Sequence, residues 1–268
     1  MARPPLIVAY HAVSNSWSSP LAVRPAALDH QLAHLRRHGY VGLTFAESER
    51  RRQAGTLPDR SVVITFDDGY RSTLAAADIL AAHGYPGTVF VVTGFVASGG
   101  VLEWPGIQAD RGNPRSEEEL RSLTWEELER LVDRGWEVGS HTVSHALLSE
   151  VSAQRLEREL TDSKDAIATR LGSCETVSYP YGREDATVAH ASQAAGYLAG
   201  CTLKGVPSAD GPHLRPRVGL GSRQRGLRLR FTVSPLGLRA RRTALARAAS
   251  GLRARPAWLP RSGEAGDA

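Results

Sequence analysis

Two periodicities alternate along this chain, and the switch between them marks its elements. Runs such as LIVAY (6–10), SVVITF (61–66) and GTVFVV (87–92) are short, continuous and rich in β-branched residues, the pattern of strands in a parallel sheet. WEVGS (136–140), TVSY (176–179) and YLAGCTL (197–203) extend the series. Between the strands the apolar period lengthens to that of a helix. In PAALDHQLAHLRRHG (25–39), Leu28, Leu32 and Leu35 share one face and Gly39 marks the end. Helices are likewise predicted at 72–84, 124–135, 152–172 and near 185–195. The helix at 124–135 opens on Thr124 with Glu127 three residues on, a capping box.

Strands alternating with helices of this length imply right-handed βαβ units and a parallel sheet or barrel. About seven repeats within the first 220 residues favour an α/β barrel of about seven parallel strands over an open sheet. The reading is a single domain, residues 1–220, followed by a tail, 221–268. In such folds chemistry collects on the loops at the carboxyl ends of the strands. One stretch, 97–122, breaks the rhythm: it is polar and Gly-rich and carries EWPG around Trp104. Loops this long are either functional or disordered, so it reads as part of a substrate groove or as a floppy insertion.

Composition adds limits. With 268 residues and 41% hydrophobic content the chain can bury a substantial core. Cys174 and Cys201 lack C-x-x-C spacing, which argues against a disulfide framework and a cysteine zinc site. The apolar run before Tyr10 is too short for a signal-peptide core, and no segment approaches the length of a membrane span. A soluble, cytoplasmic chain is expected.

The net charge of +5 hides an asymmetry: from Leu214 onward, thirteen arginines against two acids leave +11, and the rest carries −6. Arginine and leucine interleave in this tail. It reads as an amphipathic helix on an anionic membrane, which would put the chain at the inner membrane face, or as a solvated, disordered segment. Nucleic-acid binding ranks third and is not expected, because no aromatic platform accompanies the arginines.

Three clusters carry candidate chemistry. TFDDGY (65–70) ends a strand on two adjacent carboxylates, a costly pair unless water, a partner or a metal offsets it. Alone it reads as an Asp-Gly turn. SHTVSH (140–145) places His141 and His145 four apart just past another strand, on one face if the chain turns helical there. His, His and Asp form a common facial set for zinc or a similar ion. SYPYG (178–182) makes a tight turn whose backbone N–H groups could hold an oxyanion, or an ordinary turn with packed tyrosines.

Together, TFDDG, SHTVSH and YPYG resemble the motifs of the polysaccharide deacetylase family (carbohydrate esterase family four, the chitooligosaccharide-deacetylase homology domain), over roughly residues 5–220. The resemblance implies a distorted (β/α) barrel that removes acetyl groups from N-acetylated sugars on a polysaccharide, an oligosaccharide or a lipid carrier. It implies that Asp68, His141 and His145 bind one divalent ion, expected to be zinc. Asp67 would be the general base, and the Tyr181 backbone N–H would face the oxyanion. Two departures stand out. The family's usual Arg two residues before Pro-Tyr-Gly is Ser178 here, so Arg215 or Arg217 would have to serve from another strand. The late Leu-x-His motif is missing, and the chain resembles a subgroup with an N-terminal Tyr-His, making His11 the expected general acid and His213 the second choice. The histidines at 30, 34, 38, 83 and 190 read as surface or packing residues.

Two other readings compete. A catalytically silent glycan-binding domain would explain the missing Arg and the missing Leu-x-His. A glycosidase fits poorly, since its two carboxyls need about 5–10 Å between them and come from separate strands.

Overall fold

The five residues of LIVAY are all buried because they form a strand enclosed on both faces, β1 (Leu6–Tyr10). The computed structural model describes residues 4–102, 104, 113–203, 211–234 and 236–237. After β1 come a small pair, β2 (Ala12–Val13) and β3 (Ala22–Val23), then α1 (Pro25–Arg37), β4 (Val41–Leu43) and α2 (Phe45–Gln53). The chain continues through β5 (Ser61–Phe66), α3 (Thr73–Ala82), β6 (Thr88–Val91), α4 (Thr93–Val96), α5 (Pro114–Glu119) and α6 (Trp125–Asp133). It then runs through β7 (Glu137–Ser140), α7 (Ala153–Leu171), β8 (Thr176–Ser178), α8 (Ala186–Ala194) and β9 (Ala199–Thr202). Two short strands, β10 (Arg215–Pro216) and β11 (Val218–Gly219), precede α9 (Gly226–Val233).

All strand pairings are parallel, in the order β10-β9-β8-β7-β6-β5-β1-β11, with β4 branching from β5. Only Arg217 separates β10 from β11. The single stretch 215–219 therefore pairs with β9 through its first half and with β1 through its second, closing the ring. Counted this way the barrel has seven staves, as the sequence predicts, and the split last stave is its distortion.

The five helices that the sequence predicts all form, as α1, α3, α6, α7 and α8. Leu28, Leu32 and Leu35 of α1 are fully buried, each contributing roughly 1.5–3 kcal/mol of apolar burial. The capping box at Thr124 and Glu127 is formed, and α7 is opened by Ser152 and ended by Gly172 in the left-handed conformation. Outward-facing strand residues (Val8, Tyr10, Ile64, Phe66, Val91, Val177) join this helical layer in one large core. Ile7, Val63, Phe90, Ala199 and Cys201 face the other way and fill the ring, with Phe45 of α2 packed against them. Gly139 is required at this level: a Cβ there would lie 2.6 Å from the Phe90 ring and 2.9 Å from the Thr176 carbonyl oxygen. Cys174 and Cys201 are buried free thiols, both pushed up to about 12 by burial.

At the carboxyl rim a second cluster joins two insertions. Ala12, Trp17, Tyr70, Val92, Leu102, Trp104 and Leu120 pack together. Ser14 and Ser16 donate to Glu119, and the Arg71 N–H donates to the Arg121 carbonyl at 2.7 Å. The described part of 97–122 is thus tied down over one side of the rim, while 103 and 105–112 lie outside the described residues. Beyond residue 220, Leu229 and Val233 of α9 enter the main core; the Arg-rich tail from 238 onward lies outside the described residues. Among the described residues no helix is long and apolar enough to cross a membrane.

Candidate active site at the carboxyl rim

Strand periodicity delivers the site. Successive side chains alternate faces, and Ile7, Val63 and Phe90 point into the ring. Carried one residue past each strand end, the same parity puts His11 after β1, Asp67 after β5 and His141 after β7 inside the mouth. The ladder continues that far: the Asp67 N–H donates to the Tyr10 carbonyl (2.9 Å) and the His141 N–H to the Val91 carbonyl (2.8 Å). On the closing stave the same alternation turns Arg217 inward.

Asp68, His141 and His145 converge. Both Nε2 atoms lie 3.4 Å from Asp68 Oδ1, and all three side chains are buried. His141 Nδ1 lies 2.7 Å from the Ser178 carbonyl oxygen, which can only accept, so Nδ1 carries a proton. In the neutral imidazole Nε2 is then a bare lone pair aimed at a carboxylate lone pair. Two lone pairs facing each other out of water repel, and a cation between them removes the conflict. The three ligand atoms lie within 4.8 Å of one another, a facial N, N, O set that fits zinc or a similar divalent ion. Burial alone would raise the Asp68 carboxyl, but His141 and His145 hold it well below the usual range. Burial would lower His141, and Asp68 and Asp67 outweigh it and raise it.

The expectation that a helical turn presents the two histidines is corrected. Residues 141–145 form a loop in which Thr142 (φ 69°) and His145 (φ 60°) are left-handed. Asp68 (φ 72°) and Tyr181 (φ 59°) complete the set of positive-φ non-glycine residues among those described, and all four belong to the three sequence clusters. Each costs of order 1–3 kcal/mol, and such outliers collect at functional sites. The histidine loop is held from outside by α7. Glu159 Oε2 accepts the N–H groups of Val143 (2.9 Å) and Ser144 (3.0 Å), and Oε1 accepts the Ser144 hydroxyl (2.5 Å). Ser163 meets Ser140 at 2.7 Å, and Ser140 Oγ accepts the Thr142 N–H.

Asp67 has a partner the first three clusters do not contain. Arg217 grips it with two parallel bonds of 2.7 Å, Nη1 to Oδ1 and Nη2 to Oδ2. The same guanidinium donates to Thr65 Oγ1 (2.9 Å) and to Ser178 Oγ (2.7 Å), and its carbon sits 5.6 Å from the Phe90 ring centroid. Ser178 therefore receives the arginine whose place it takes. Burial would raise the Asp67 carboxyl; Arg217, then His141, outweigh it and keep it below the usual range. Arg215, the other candidate, pairs with buried Glu49 of α2 instead.

His11 is at the mouth, partly exposed, with Nε2 3.9 Å from Asp67 Oδ2. His213 is not: its Nδ1 bonds Ser192 of α8 (3.0 Å), and its charged neighbours are Arg215, Glu49 and His190. Tyr181 stands edge-on to His145 with ring centroids 4.6 Å apart, its phenol pushed up to about 12 by burial and by Asp68. Of the remaining histidines, the His34 and His38 rings meet at a tilt (centroids 4.1 Å apart) and His83 meets Asp29 (2.8 Å).

Two contacts at the site go beyond the sequence reading, which places Trp104 only in a groove or a floppy insertion and gives Tyr70 no role. Trp104 lies flat on His145, centroids 4.0 Å apart and planes 10° apart, so this residue reaches the site. Tyr70 is fully buried beside Asp68, its phenol driven well above the usual value by burial and that charge. Trp104 had a signal, an aromatic in a polar loop; Tyr70 had none beyond its place in TFDDGY.

The family model described as polysaccharide deacetylase matches residues 54–200. The chain is 27% identical over 213 residues to the YxkH protein of Bacillus subtilis, covering 78% of this chain and 68% of that one. It is 30% identical over 144 residues to the poly-beta-1,6-N-acetyl-D-glucosamine N-deacetylase of Escherichia coli, but spans only 20% of that protein. Among solved structures, the Streptococcus pyogenes deacetylase PplD in complex with acetate superposes with a TM-score of 0.74 at 25% identity, over 88% of this chain and 100% of that one.

Proposed function

The chain belongs to the polysaccharide deacetylase family, hydrolases of carbon–nitrogen bonds other than peptide bonds, and from that premise we propose that it removes N-acetyl groups from a glycan, free or lipid-linked, with one divalent cation, zinc. The observation that carries the reading is the convergence of Asp68, His141 and His145 with the His141 tautomer set by Ser178. A cation held by those three residues would supply a Lewis acid that acidifies water and polarises an acyl oxygen.

The chain's own groups do the rest. Asp67, kept ionised by Arg217, takes a proton from the attacking water. Oδ2 is the oxygen nearest His11. As the new C–O bond forms, negative charge moves to the carbonyl oxygen, where the Tyr181 N–H meets it. The C–N bond then breaks with transfer of the His11 Nε2 proton to nitrogen, because an amide anion is not a viable leaving group near neutral pH. Asp67 returns its proton to His11, whose Nε2 stands 3.9 Å away, by way of a bridging water, restoring both groups. The missing Arg and the missing Leu-x-His motivate a silent glycan-binding domain; the Arg217 guanidinium bonded to Ser178 answers the first, and His11 is proposed to answer the second.

The test is acetate release from N-acetylated oligosaccharides by the full chain, before and after dialysis against a chelator and re-addition of zinc. Release that stops and returns supports the reading. Sugar binding without acetate would revive the binding-only alternative, and new reducing ends the glycosidase.

Glu159 should matter at one remove. Glu159→Gln loses the anionic acceptor for two backbone N–H groups of the histidine loop. It is expected to weaken zinc affinity roughly 10–100-fold in chelator competition. Unfolding of the zinc-free protein should move little by comparison.

A further inference from the structure

α9 turns Leu229, Thr232 and Val233 inward to the core. At 100° per residue, Leu227 and Phe231 lie together on the opposite side, with Arg228 on one flank and Arg230 on the other. The structure exposes this ridge: Leu227 is 78% accessible and Phe231 55%, and Leu236, beyond the helix end, is 68% accessible. The other exposed large apolar side chains among the described residues, Val41 and Val132, belong to separate elements. An apolar ridge flanked by arginines differs from an ordinary solvated helix face, which is charged throughout.

We propose that the outer face of α9 docks on the surface of an anionic phospholipid bilayer, Leu227 and Phe231 entering the acyl boundary while the neighbouring arginines meet lipid phosphates. Charge selects this occupant. Between residues 221 and 263 the sequence holds eleven arginines and no acid. A second copy of this face would oppose arginine to arginine, and the chain's own later segment carries the same sign. An anionic surface complements both the charge and the ridge, whereas a nucleic acid has no use for exposed Leu227 and Phe231. The inference does not depend on the deacetylase reading.

Co-sedimentation of the full chain with vesicles of phosphatidylcholine alone, and of phosphatidylcholine with phosphatidylglycerol, tests it at low and high salt. Partitioning should favour the anionic vesicles by roughly tenfold or more and fall with salt. Leu227→Ser with Phe231→Ser, and separately Arg228→Gln with Arg230→Gln, should each lower it roughly tenfold while acetate release from a soluble substrate stays unchanged. Equal partitioning to both vesicle types, or unchanged partitioning of the Leu/Phe variant, overturns the proposal. So does binding of duplex DNA in preference to vesicles, a dimer in light scattering that the Leu/Phe variant abolishes, or a large loss of thermal stability in that variant, which would mean the chain itself covers the ridge.

Discussion

Replacing Arg217 with alanine is expected to cut kcat/KM by roughly 10²–10⁴-fold, the span of a general base lost from its working geometry. The guanidinium is buried and makes both bonds that fix the Asp67 carboxylate. Its removal strands that charge, and breaking a buried pair costs about 3–5 kcal/mol of stability. Arg217→Lys keeps the charge but not the two-pronged geometry and should fall between wild type and alanine. The pH dependence has a definite sign. Asp67 sits below its unfolded value of about 3.9, so the pair contributes stability above that pH and loses it as pH falls through the folded value. Without Arg217 the carboxyl rises, and the acid limb of the kcat/KM profile moves to higher pH. A relocation variant sharpens the test. Ser178→Arg combined with Arg217→Ser moves the guanidinium to the stave on which the family usually carries it, and should recover part of the lost rate. A profile that stays put in Arg217→Ala would show that Arg217 does not set the base.

The second large effect concerns the cation. Asp68→Asn removes the negative charge from one of three converging ligands, and His141→Ala removes another ligand atom outright. Elemental analysis should find roughly one zinc per chain in wild type and only a small fraction of that in either variant. Deacetylation should fall about a thousandfold or more, the several kcal/mol that a Lewis acid supplies. Retention of full metal content by both variants would place the ion elsewhere. A metal-free wild type with undiminished acetate release would remove it from the chemistry.

Much of this site is visible in the sequence because strands have a strict two-residue period. Once LIVAY and SVVITF are accepted as strands, His11 and Asp67 fall on the same inward face, and the ladder bonds to Tyr10 and Val91 show the alternation continuing past the strand ends. The histidine pair was found for a partly wrong reason. Four-residue spacing suggests a helix, whereas a loop with two left-handed residues, anchored by Glu159 sixteen positions on, brings the rings together.

The closing stave carries no apolar strand pattern, although its arginines are expected to serve from a strand. RPRVG has a proline and two arginines because its inward side chains face carboxylates rather than a greasy interior, and because each half pairs with a different neighbour. α2 hid for a related reason. FAESERRRQ buries a glutamate, Glu49, paired with Arg215 and Arg52, so no apolar stripe announces it. Local pattern reads elements that bury oil; it misses those whose burial is settled by a charge from far along the chain.

That late arrival of Arg217 has a consequence for biosynthesis. Asp67, Asp68 and both histidines leave the ribosome some seventy or more residues before the stave that completes the ring. Until then the nascent polypeptide holds an unmatched carboxylate at an open seam. Hydrolytic competence and circular closure of the sheet are therefore delivered by one segment, and a product terminated ahead of it would be inert even with every earlier motif intact.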